Sequence, residues 1–264
     1  MFSIIIPTYN CVDLVGKALD SIFQQSFSDF EIVVMDGNST DGTKELVLKY
    51  SKEHNNIVFH SEPDKGIYDA MNKGVKVAKG DWLYFLGADD YLANNDVLLT
   101  VSESVNSGNY NFIYGNVIST KLDESYNSIY DEFKMLKQNI CHQAIFYHKS
   151  LLSGITIYDM RFKACADWDL NLKLFCSKGI KSKYINSNIA YFTDNGFSSD
   201  FYDIKFIEQK YYKYLVYKWP SFNVKPEIFD EALRSNISKK KKCHLFMLYP
   251  KFILKKNIIK SILN

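Results

Sequence analysis

The chain has 264 residues, of which 47% are hydrophobic and 23% charged. That balance excludes disordered, collagen-like and extended coiled-coil proteins. Its five cysteines form no closely spaced pair and no Cys/His cluster, which argues against a disulfide framework and a structural zinc site. No apolar stretch is long enough to span a bilayer, and the first residues lack the features of a secretory signal. We therefore predict a globular protein of the cytoplasm.

The net charge of +2 conceals an uneven distribution. Residues 237–264 contain eight lysines and no acidic residue, whereas residues 1–236 contain 24 basic and 30 acidic side chains. A basic segment attached to an acidic body indicates an anionic surface as a partner. Nucleic acid is not expected, because the chain has only two arginines and no aromatic stacking motif of an RNA-binding module.

The first 120 residues alternate short apolar runs with stretches of helical periodicity. The pattern predicts strands at 3–6, 30–35, 57–59 and 82–86, helices at 14–23, 46–50, 67–78 and 167–175, and a loop or short helix within 121–140. Continuously apolar strands separated by helices indicate an α/β fold, with a mostly parallel, Rossmann-like central sheet and helices on both faces. Ligands bind to such a sheet beyond the carboxyl ends of its strands.

Polar clusters follow three of the predicted strands at this edge of the sheet. They are PTYN at 7–10, DGNSTDGT at 36–43 and GADD at 87–90. The chain has neither a G-x-G-x-x-G motif after the first strand nor a P-loop motif. A phosphate group bound at this edge would therefore need a metal ion.

Asp89 and Asp90 are adjacent carboxylates that directly follow a predicted strand. Their charges repel each other, and burying both is costly unless a cation compensates. Mg²⁺ or Mn²⁺ binds in this way through one or two carboxylates and substrate phosphates; an ordinary solvated Asp-Asp turn is the alternative. Asp36 begins a loop that could hydrogen-bond a nucleobase, although the same residue types also simply form turns.

Four segments resemble the motifs of glycosyltransferase family 2, in the same order and at similar spacings: IIIPTYN, MDGNSTDGT, EPDKGIYDAMNKG and WLYFLGADDYL. The resemblance covers about residues 1–200 and implies a GT-A fold. Residues 1–120 are then expected to bind a nucleotide-sugar and residues 121–200 to bind the acceptor. Residues 201–264 would form a C-terminal helical region that ends in a basic amphipathic tail.

The resemblance also implies a donor site and a metal ligand. Its donor-binding residues would be Pro7, Tyr9, Asp13, Asp36, Asp64, Lys65, Asp69, Asn72 and Asp90. Asp89 matches the usual ligand of Mn²⁺ or Mg²⁺. The family's metal motif is commonly D-x-D-D, and Gly87 replaces its first aspartate here.

The family's catalytic base is the second residue of a motif that resembles Glu-Asp. Asp167 matches this base, and Ala166 stands in place of the glutamate. Asp169 is the alternative, and a carboxylate at a helix N-terminus is also a common cap. His142 and Gln143 resemble a His-Gln pair near the family's active site. Two further residues, Gly196 and Ser198, resemble a loop that closes over the donor phosphates.

The implied reaction is an inverting single displacement that transfers a hexosyl or N-acetylhexosaminyl unit. One sugar is expected rather than a polymer, because the Q-x-x-R-W motif of processive relatives is absent. A UDP-sugar is the family's commonest donor. By analogy, the acceptor would be a glycan linked to undecaprenyl diphosphate, in O-antigen or capsule biosynthesis at the inner face of the cytoplasmic membrane. Lysines and apolar residues at 239–260 could bind that anionic surface; a packed terminal helix with a solvated basic face is the alternative.

Two other classes of protein would share parts of this pattern. A nucleotidyltransferase would need a glycine-rich, arginine-containing loop after the first strand, and PTYNCVD contains neither feature. A non-catalytic sugar-nucleotide-binding or scaffold subunit stays open, because Gly87 and Ala166 replace acids of the family motifs.

Overall fold

A computed structural model describes residues 1–122, 125–126, 128–153, 157–193, 203–220 and 224–252. Its strands are β1 Phe2–Thr8, β2 Phe30–Asp36, β3 Ile57–Ser61, β4 Trp82–Phe85, β5 Tyr91–Leu92, β6 Phe112–Ser119, β7 Ser125–Tyr126, β8 Ile145–His148 and β9 Ser182–Phe192. Its α-helices are α1 Val12–Phe23, α2 Thr43–Glu53, α3 Ile67–Val77, α4 Val97–Asn106, α5 Glu132–Lys137, α6 Ala166–Phe175, α7 Ile204–Lys218, α8 Pro226–Arg234 and α9 Lys239–Leu248. Short 3₁₀ helices occupy His142–Ala144, Lys149–Leu151 and Pro250–Phe252.

The strands form one sheet in the order β3-β2-β1-β4-β8-β6-β9-β5, and β7 pairs with β6. The four strands β1 to β4 are parallel neighbours. β1, β2 and β4 are buried along their whole length as predicted, whereas β3, at the edge of the sheet, is partly exposed. Ile5 of β1 packs into one hydrophobic core, and its neighbours Ile4 and Ile6 pack into the other, because successive side chains of a strand point to opposite faces. The predicted α/β sheet with helices on both faces is confirmed.

β1 extends two residues beyond its predicted end and includes Pro7. The carbonyl of Ile5 accepts a hydrogen bond from Leu86 (3.1 Å), so this residue faces the β4 side. Pro7 lies two residues further along the same side, where the pairing with β4 has already ended. The missing N–H of proline therefore leaves no hydrogen bond unmade.

The second half of the sheet brings later segments of the chain to the carboxyl ends of β1 and β4. β8 lies antiparallel between β4 and β6, and β9 pairs antiparallel with the short β5 through Tyr91 and Tyr191. Because β5 follows the GADD segment directly, this pairing places Thr193, at the end of β9, beside Asp89 and Asp90.

The described part of the tail packs against the rest of the protein. Leu245 and Tyr249 have no exposed surface, and the Tyr249 hydroxyl donates a hydrogen bond to the carbonyl of Leu215 in α7 (2.7 Å). The ring of Phe229 in α8 stacks on that of Phe252. Up to residue 252 the packed terminal helix is thus the observed arrangement; residues 253–264 lie outside the described residues. Within the described ranges, no helix combines the length and the apolar character needed to cross a membrane.

Candidate functional site

A cavity of about 1220 Å³ lies at the carboxyl ends of β1, β2 and β4. Its walls come from the segments after these strands, from the 3₁₀ helix before β8 and from the N-terminus of α6. Eight of the predicted site residues line it: Pro7, Tyr9, Asp64, Asp89, Asp90, His142, Gln143 and Asp167. Gly196 and Ser198 lie outside the described residues.

One side of the cavity is formed by Tyr9 and Asp64, which meet over Gly37. The Tyr9 ring is 67% exposed. A Cβ atom at Gly37 would lie 2.6 Å from Asp64 Oδ2 and 3.2 Å from a ring carbon of Tyr9, so a side chain at position 37 would push the Asp64 carboxylate away from its observed place. This pocket offers an aromatic face from the segment after β1 and a carboxylate from the segment after β3, which suits a nucleobase.

Asp36 directly precedes Gly37 and does not line the cavity. It is 2% exposed and accepts hydrogen bonds from the hydroxyls of Thr8 (3.2 Å), Ser39 (2.5 Å) and Ser61 (2.6 Å) and from the backbone N–H of Ser39 (3.0 Å). The carboxylate therefore ties the loop after β2 to β1 and β3.

The other four predicted donor residues are also placed outside the cavity lining. Asp13 is exposed in the first turn of α1. Asp69 accepts from the backbone N–H of Lys65 (3.0 Å), whose own side chain is exposed. The Asn72 side chain donates to the carbonyl of Tyr158 (3.0 Å) and accepts from its N–H (3.0 Å). These contacts shape the segments around the cavity rather than its surface.

Asp89 and Asp90 differ in how their carboxylates are engaged. Asp90 is 3% exposed; it accepts hydrogen bonds from the Gln143 amide (2.6 Å) and the Thr193 N–H (3.0 Å). Burial and the neighbouring charge of Asp89 raise the pKa of Asp90 to about 7. Asp89 is half-buried and lines the cavity. Gln143 and Thr193 thus fix Asp90, while the Asp89 carboxylate faces the cavity.

Glycine at position 87 makes room for both carboxylates. A Cβ atom there would lie 2.9 Å from Asp89 Oδ1 and would overlap Asp90 Oδ2. Because Gln143 and Thr193 hold Asp90 in place, that carboxylate cannot easily move away. Where the family motif has an aspartate, Gly87 has no side chain, and the carboxylates of Asp89 and Asp90 occupy the space beside it.

If Asp89 binds Mn²⁺, as the family resemblance implies, replacing Gly87 by alanine should displace the two carboxylates and lower the affinity for Mn²⁺ by about tenfold or more. Gly179→Ala is the matched control, because nothing lies within 4 Å of a Cβ atom at that position. Metal titration followed by thermal shift would measure both variants. Equal Mn²⁺ affinity in the two variants would show that the carboxylates tolerate a side chain at position 87.

The burial of Asp90 predicts a pH dependence of stability in the metal-free protein. The carboxyl group has its ordinary pKa of 3.8 when unfolded and about 7 when folded, so between these values the folded state binds a proton that the unfolded state releases. The free energy of unfolding should therefore fall as pH rises through this window. With EDTA present, the Tm of the wild type should decline relative to that of Asp90→Asn from about pH 5 to about pH 8. A difference in Tm between the two proteins that stays constant from about pH 5 to about pH 8 would contradict this expectation.

Asp167 lies at the first turn of α6 on another wall of the cavity. It is 8% exposed. The Tyr68 hydroxyl donates to its Oδ1 (3.0 Å) and the Asn139 amide donates to its Oδ2 (2.7 Å). Burial raises the pKa of Asp167. Two donors thus orient a buried carboxylate whose basicity is increased by its surroundings.

Asp169, the alternative base, faces away from the cavity. It forms an ion pair with Lys213 of α7 (2.7 Å) and accepts a hydrogen bond from the Tyr217 hydroxyl (2.9 Å). It does not line the cavity. Its charge is therefore used to hold α6 against α7, which leaves Asp167 as the carboxylate of this helix that can act in the cavity.

His142 faces the cavity from the 3₁₀ helix before β8. Its Nε2 atom is buried and has no hydrogen-bond partner in the described part of the chain. Burial lowers the pKa of His142, and the charges of Asp167 and Asp89 act on it in the opposite direction. A neutral imidazole therefore presents an unsatisfied nitrogen close to both carboxylates, as expected for a ligand contact.

Three residues around these carboxylates were not predicted from the sequence: Tyr68, Asn139 and Thr193. Tyr68 belongs to the EPDKGIYDAMNKG segment, and Asn139 lies three residues before His142. Their positions next to recognised motifs were a usable signal. Thr193 directly follows β9, and a polar residue after a strand is too common to identify a site residue from the sequence.

Comparisons with known proteins show the family to which the chain belongs. The family model described as Glycosyl transferase family 2 matches residues 3–178. A "PGL/p-HBAD biosynthesis glycosyltransferase" of Mycobacterium bovis (strain BCG / Pasteur 1173P2) is 38% identical over 213 residues, which cover 79% of this chain and 83% of that protein. Glycosyltransferase GlyG of Streptococcus pneumoniae serotype 4 is 26% identical over 226 residues, 81% of this chain and 70% of that protein.

Two solved structures share the fold. S. aureus TarS 1–349 in complex with UDP-GlcNAc has a TM-score of 0.69 at 19% identity, covering 96% of this chain and 71% of that chain. The mannosyltransferase PcManGT from Pyrobaculum calidifontis, in complex with GDP-Man and Mn²⁺, has a TM-score of 0.62 at 15% identity, covering 99% and 77%. The fold is therefore the GT-A fold of glycosyltransferases. The chain belongs to glycosyltransferase family 2 and is a glycosyltransferase.

Proposed function

We propose that the protein transfers one sugar from a UDP-sugar to a hydroxyl group of a lipid-linked glycan, with inversion at the anomeric carbon. The observation that carries this proposal is that Asp167 and Asp89 line one cavity. His142 lies close enough to both for their charges to act on its pKa. A base for the acceptor and an anionic anchor for a donor-bound cation thus face the same space. TarS in complex with UDP-GlcNAc and PcManGT in complex with GDP-Man and Mn²⁺ support the donor class.

The donor is proposed to lie with its base against Tyr9 and Asp64 and its diphosphate towards Asp89. Asp36 supports this site by holding the loop after β2. Four other residues are proposed to support the segments around the donor site without contacting the donor: Asp13, Lys65, Asp69 and Asn72.

Asp89 suits Mn²⁺ or Mg²⁺, which prefer oxygen ligands and usually bind one or two carboxylates together with substrate phosphates. In the described part of the chain, no group of three or more His, Cys, Asp or Glu side chains could hold a metal ion. Phosphate oxygens of the donor and water would therefore supply the other ligands. A bound ion would offset the charge that develops on the departing diphosphate.

Asp167 is proposed to remove the proton from the acceptor hydroxyl as it attacks the anomeric carbon. Its raised pKa favours proton uptake, and the hydrogen bonds from Tyr68 and Asn139 hold it in one orientation. His142 is proposed to contact the transferred sugar or the acceptor through Nε2, since it lies near both carboxylates. Gln143 positions Asp90 in the same wall.

The lipid-linked acceptor would place the protein on the inner face of the cytoplasmic membrane, with residues 239–260 against anionic lipids. Because Leu245 and Tyr249 are buried in the protein, the contact is proposed to be electrostatic, through lysines such as the exposed Lys239 and Lys240. Substituting these two by glutamine preserves the packing of α9. Unchanged co-sedimentation with phosphatidylglycerol vesicles would refute the contact.

Thermal shift and hydrolysis with UDP-, GDP- and dTDP-sugars, each with and without Mn²⁺, test the proposed donor. We expect metal-dependent stabilisation and slow hydrolysis with the UDP-sugars. A response confined to GDP- or dTDP-sugars would correct the nucleotide. Hydrolysis of no donor would favour a non-catalytic sugar-nucleotide-binding subunit.

A further inference from the structure

Asn171 is a polar residue in the core of the protein. It lies in α6, one helical turn after Asp167, and has no exposed surface. Its neighbours Leu170 and Leu172 pack in one of the two hydrophobic cores. A buried amide is costly unless its hydrogen bonds are made, and Asn171 does not line the cavity. Its role must therefore be exerted through the side chains that it contacts.

A network of three hydrogen bonds runs from Tyr147 in β8 through Asn171 to Asp167. The Tyr147 hydroxyl, which has no exposed surface, donates to Asn171 Oδ1 (2.8 Å). Asn171 Nδ2 donates to Asn139 Oδ1 (2.9 Å). Asn139 Nδ2 in turn donates to Asp167 Oδ2 (2.7 Å). Each donor in this network is thus directed towards the carboxylate.

The direction of the network matches an ionised carboxylate. A carboxylate without a proton can only accept hydrogen bonds, whereas the protonated group also donates one. If the Asn139 amide turned over, its Oδ1 would face Asp167, and only the protonated group could bind it. Asn171 opposes this reversal, because its Nδ2 would then meet the Nδ2 of Asn139, and both are donors.

Tyr147 opposes a reversal of the whole network. If both amides turned over together, Asn171 Nδ2 would face the Tyr147 oxygen, and the hydroxyl hydrogen would lose its acceptor. Asn171 is the hydrogen-bond partner of this hydroxyl within the described residues, and an unpaired buried donor is costly. The observed direction is therefore the one in which every member is paired while Asp167 carries its charge.

Other titratable groups also act on Asp167. Burial raises its pKa, whereas the charge of His142 and the hydrogen bonds from Tyr68 and Asn139 act in the opposite direction. Five groups from the surrounding elements interact with its charge: Tyr68 of α3, His142 of the 3₁₀ helix, Tyr147 of β8, Tyr158 before α6 and Cys165 at the start of α6. Burial raises the pKa of the three tyrosines and of Cys165 and lowers that of His142, so these groups are neutral near pH 7.

We propose that Asn171 and Tyr147 are positioning residues that act through Asn139 to keep the base Asp167 ionised and in one orientation. Tyr68 holds the other oxygen of the same carboxylate. This inference rests on the proposed function. It adds two residues that lie behind the cavity wall, since neither Asn171 nor Tyr147 lines the cavity.

The pKa of Asp167 tests this inference without any need for activity. Protein labelled with ¹³C at the aspartate side-chain carboxyl carbon is titrated by NMR, and Asp167→Asn identifies the signal of Asp167. Asn171→Leu interrupts the network with a side chain of similar size, and it should raise the pKa of Asp167 by about 1, a roughly tenfold change in proton affinity. Tyr147→Phe should raise it in the same direction by about threefold in affinity.

Hydrolysis of UDP-glucose or UDP-N-acetylglucosamine with Mn²⁺ provides the second readout. On the acid side of the pH profile, the turnover number should fall about tenfold in Asn171→Leu and about threefold in Tyr147→Phe. On the alkaline side it should stay close to that of the wild type, because Asp167 is ionised there in all three proteins.

Tyr249→Phe is the matched control for Tyr147→Phe. Tyr249 also has no exposed surface, its hydroxyl donates a hydrogen bond, and it does not line the cavity. Both tyrosine variants should have a lower Tm, but the control should keep the wild-type pKa of Asp167. Tyr147→Phe removes a single oxygen atom and decides the question if Asn171→Leu does not fold.

An Asp167 pKa that stays unchanged or falls in Asn171→Leu and Tyr147→Phe would show a purely structural role and overturn the proposal. The same rise in Tyr249→Phe would also overturn it, because the effect would then not depend on the network. A rise confined to the two network variants, in a protein whose wild type hydrolyses no donor, would support the network and count against the proposed function alone.

Discussion

Asp167→Asn should lower the turnover number by about 10³-fold while the Kd of the donor changes by less than about twofold. The substitution keeps the size of the side chain and its contact with Tyr68 but removes the group that accepts the proton. The loss should appear in the chemical step, because the proposed donor contacts lie on the other side of the cavity. Single-turnover kinetics and a donor-binding titration measure the two effects independently.

Asp169→Asn is the matched control, two residues further along the same buried helix. Its removal leaves Lys213 without its partner in a site where the two side chains are 12% and 9% exposed. Loss of one member of a buried pair is destabilising, so we expect a lower Tm and nearly unchanged turnover per folded molecule. The opposite result, with turnover lost in Asp169→Asn and kept in Asp167→Asn, would transfer the role of base to Asp169.

Asp89→Asn should lower metal-dependent donor hydrolysis by about 100-fold or more. Asparagine keeps the shape of the side chain but removes the charge that a divalent cation requires, and the fixed position of Asp90 prevents it from substituting. The same variant should lose the Mn²⁺-dependent thermal stabilisation by the donor nucleotide.

Asp81→Asn serves as the control for this variant, because Asp81 is exposed and lies at the opposite end of β4 from Asp89. It should respond to Mn²⁺ as the wild type does. Wild-type hydrolysis rates and Mn²⁺ response in Asp89→Asn would remove that residue from the metal site.

The first half of the sheet could be predicted because β1, β2 and β4 are buried along their whole length and are mostly apolar. β1 extends to Thr8 because it still pairs with β2 there, and Pro7 is tolerated because the pairing with β4 has ended. The antiparallel β8 and the short β5 were not predicted. β5 has two residues, and its pairing depends on β9, about a hundred residues later in the chain, so no local pattern encodes it.

The predicted site residues divide according to what the motifs can reveal. The resemblance identified Asp89, Asp90 and Asp167, and all three line the cavity. It could not separate residues that face the cavity from those that support it, as Asn72 shows by binding the backbone of Tyr158. Tyr68 reaches Asp167 across 99 residues of chain, and only the folded structure reveals that contact.

The tail illustrates a different limit of the sequence. Residues 239–252 combine a run of lysines with apolar side chains. This composition is the same whether the apolar side chains enter a membrane or a protein core. The burial of Leu245 and Tyr249 against α7 and α8 decides between these for the described part. The hydrophobic effect is non-directional, so composition alone cannot name the surface that covers an apolar side chain.

The stereochemistry of donor hydrolysis tests the central claim most directly and requires no knowledge of the acceptor. If Asp167 activates an attacking hydroxyl or water in a single displacement, the α-linked sugar of the donor should be released first as the β anomer. Proton NMR can follow the anomeric signal of the wild-type reaction before mutarotation. Initial release of the α anomer would mean retention, and would contradict a mechanism in which Asp167 acts as the base.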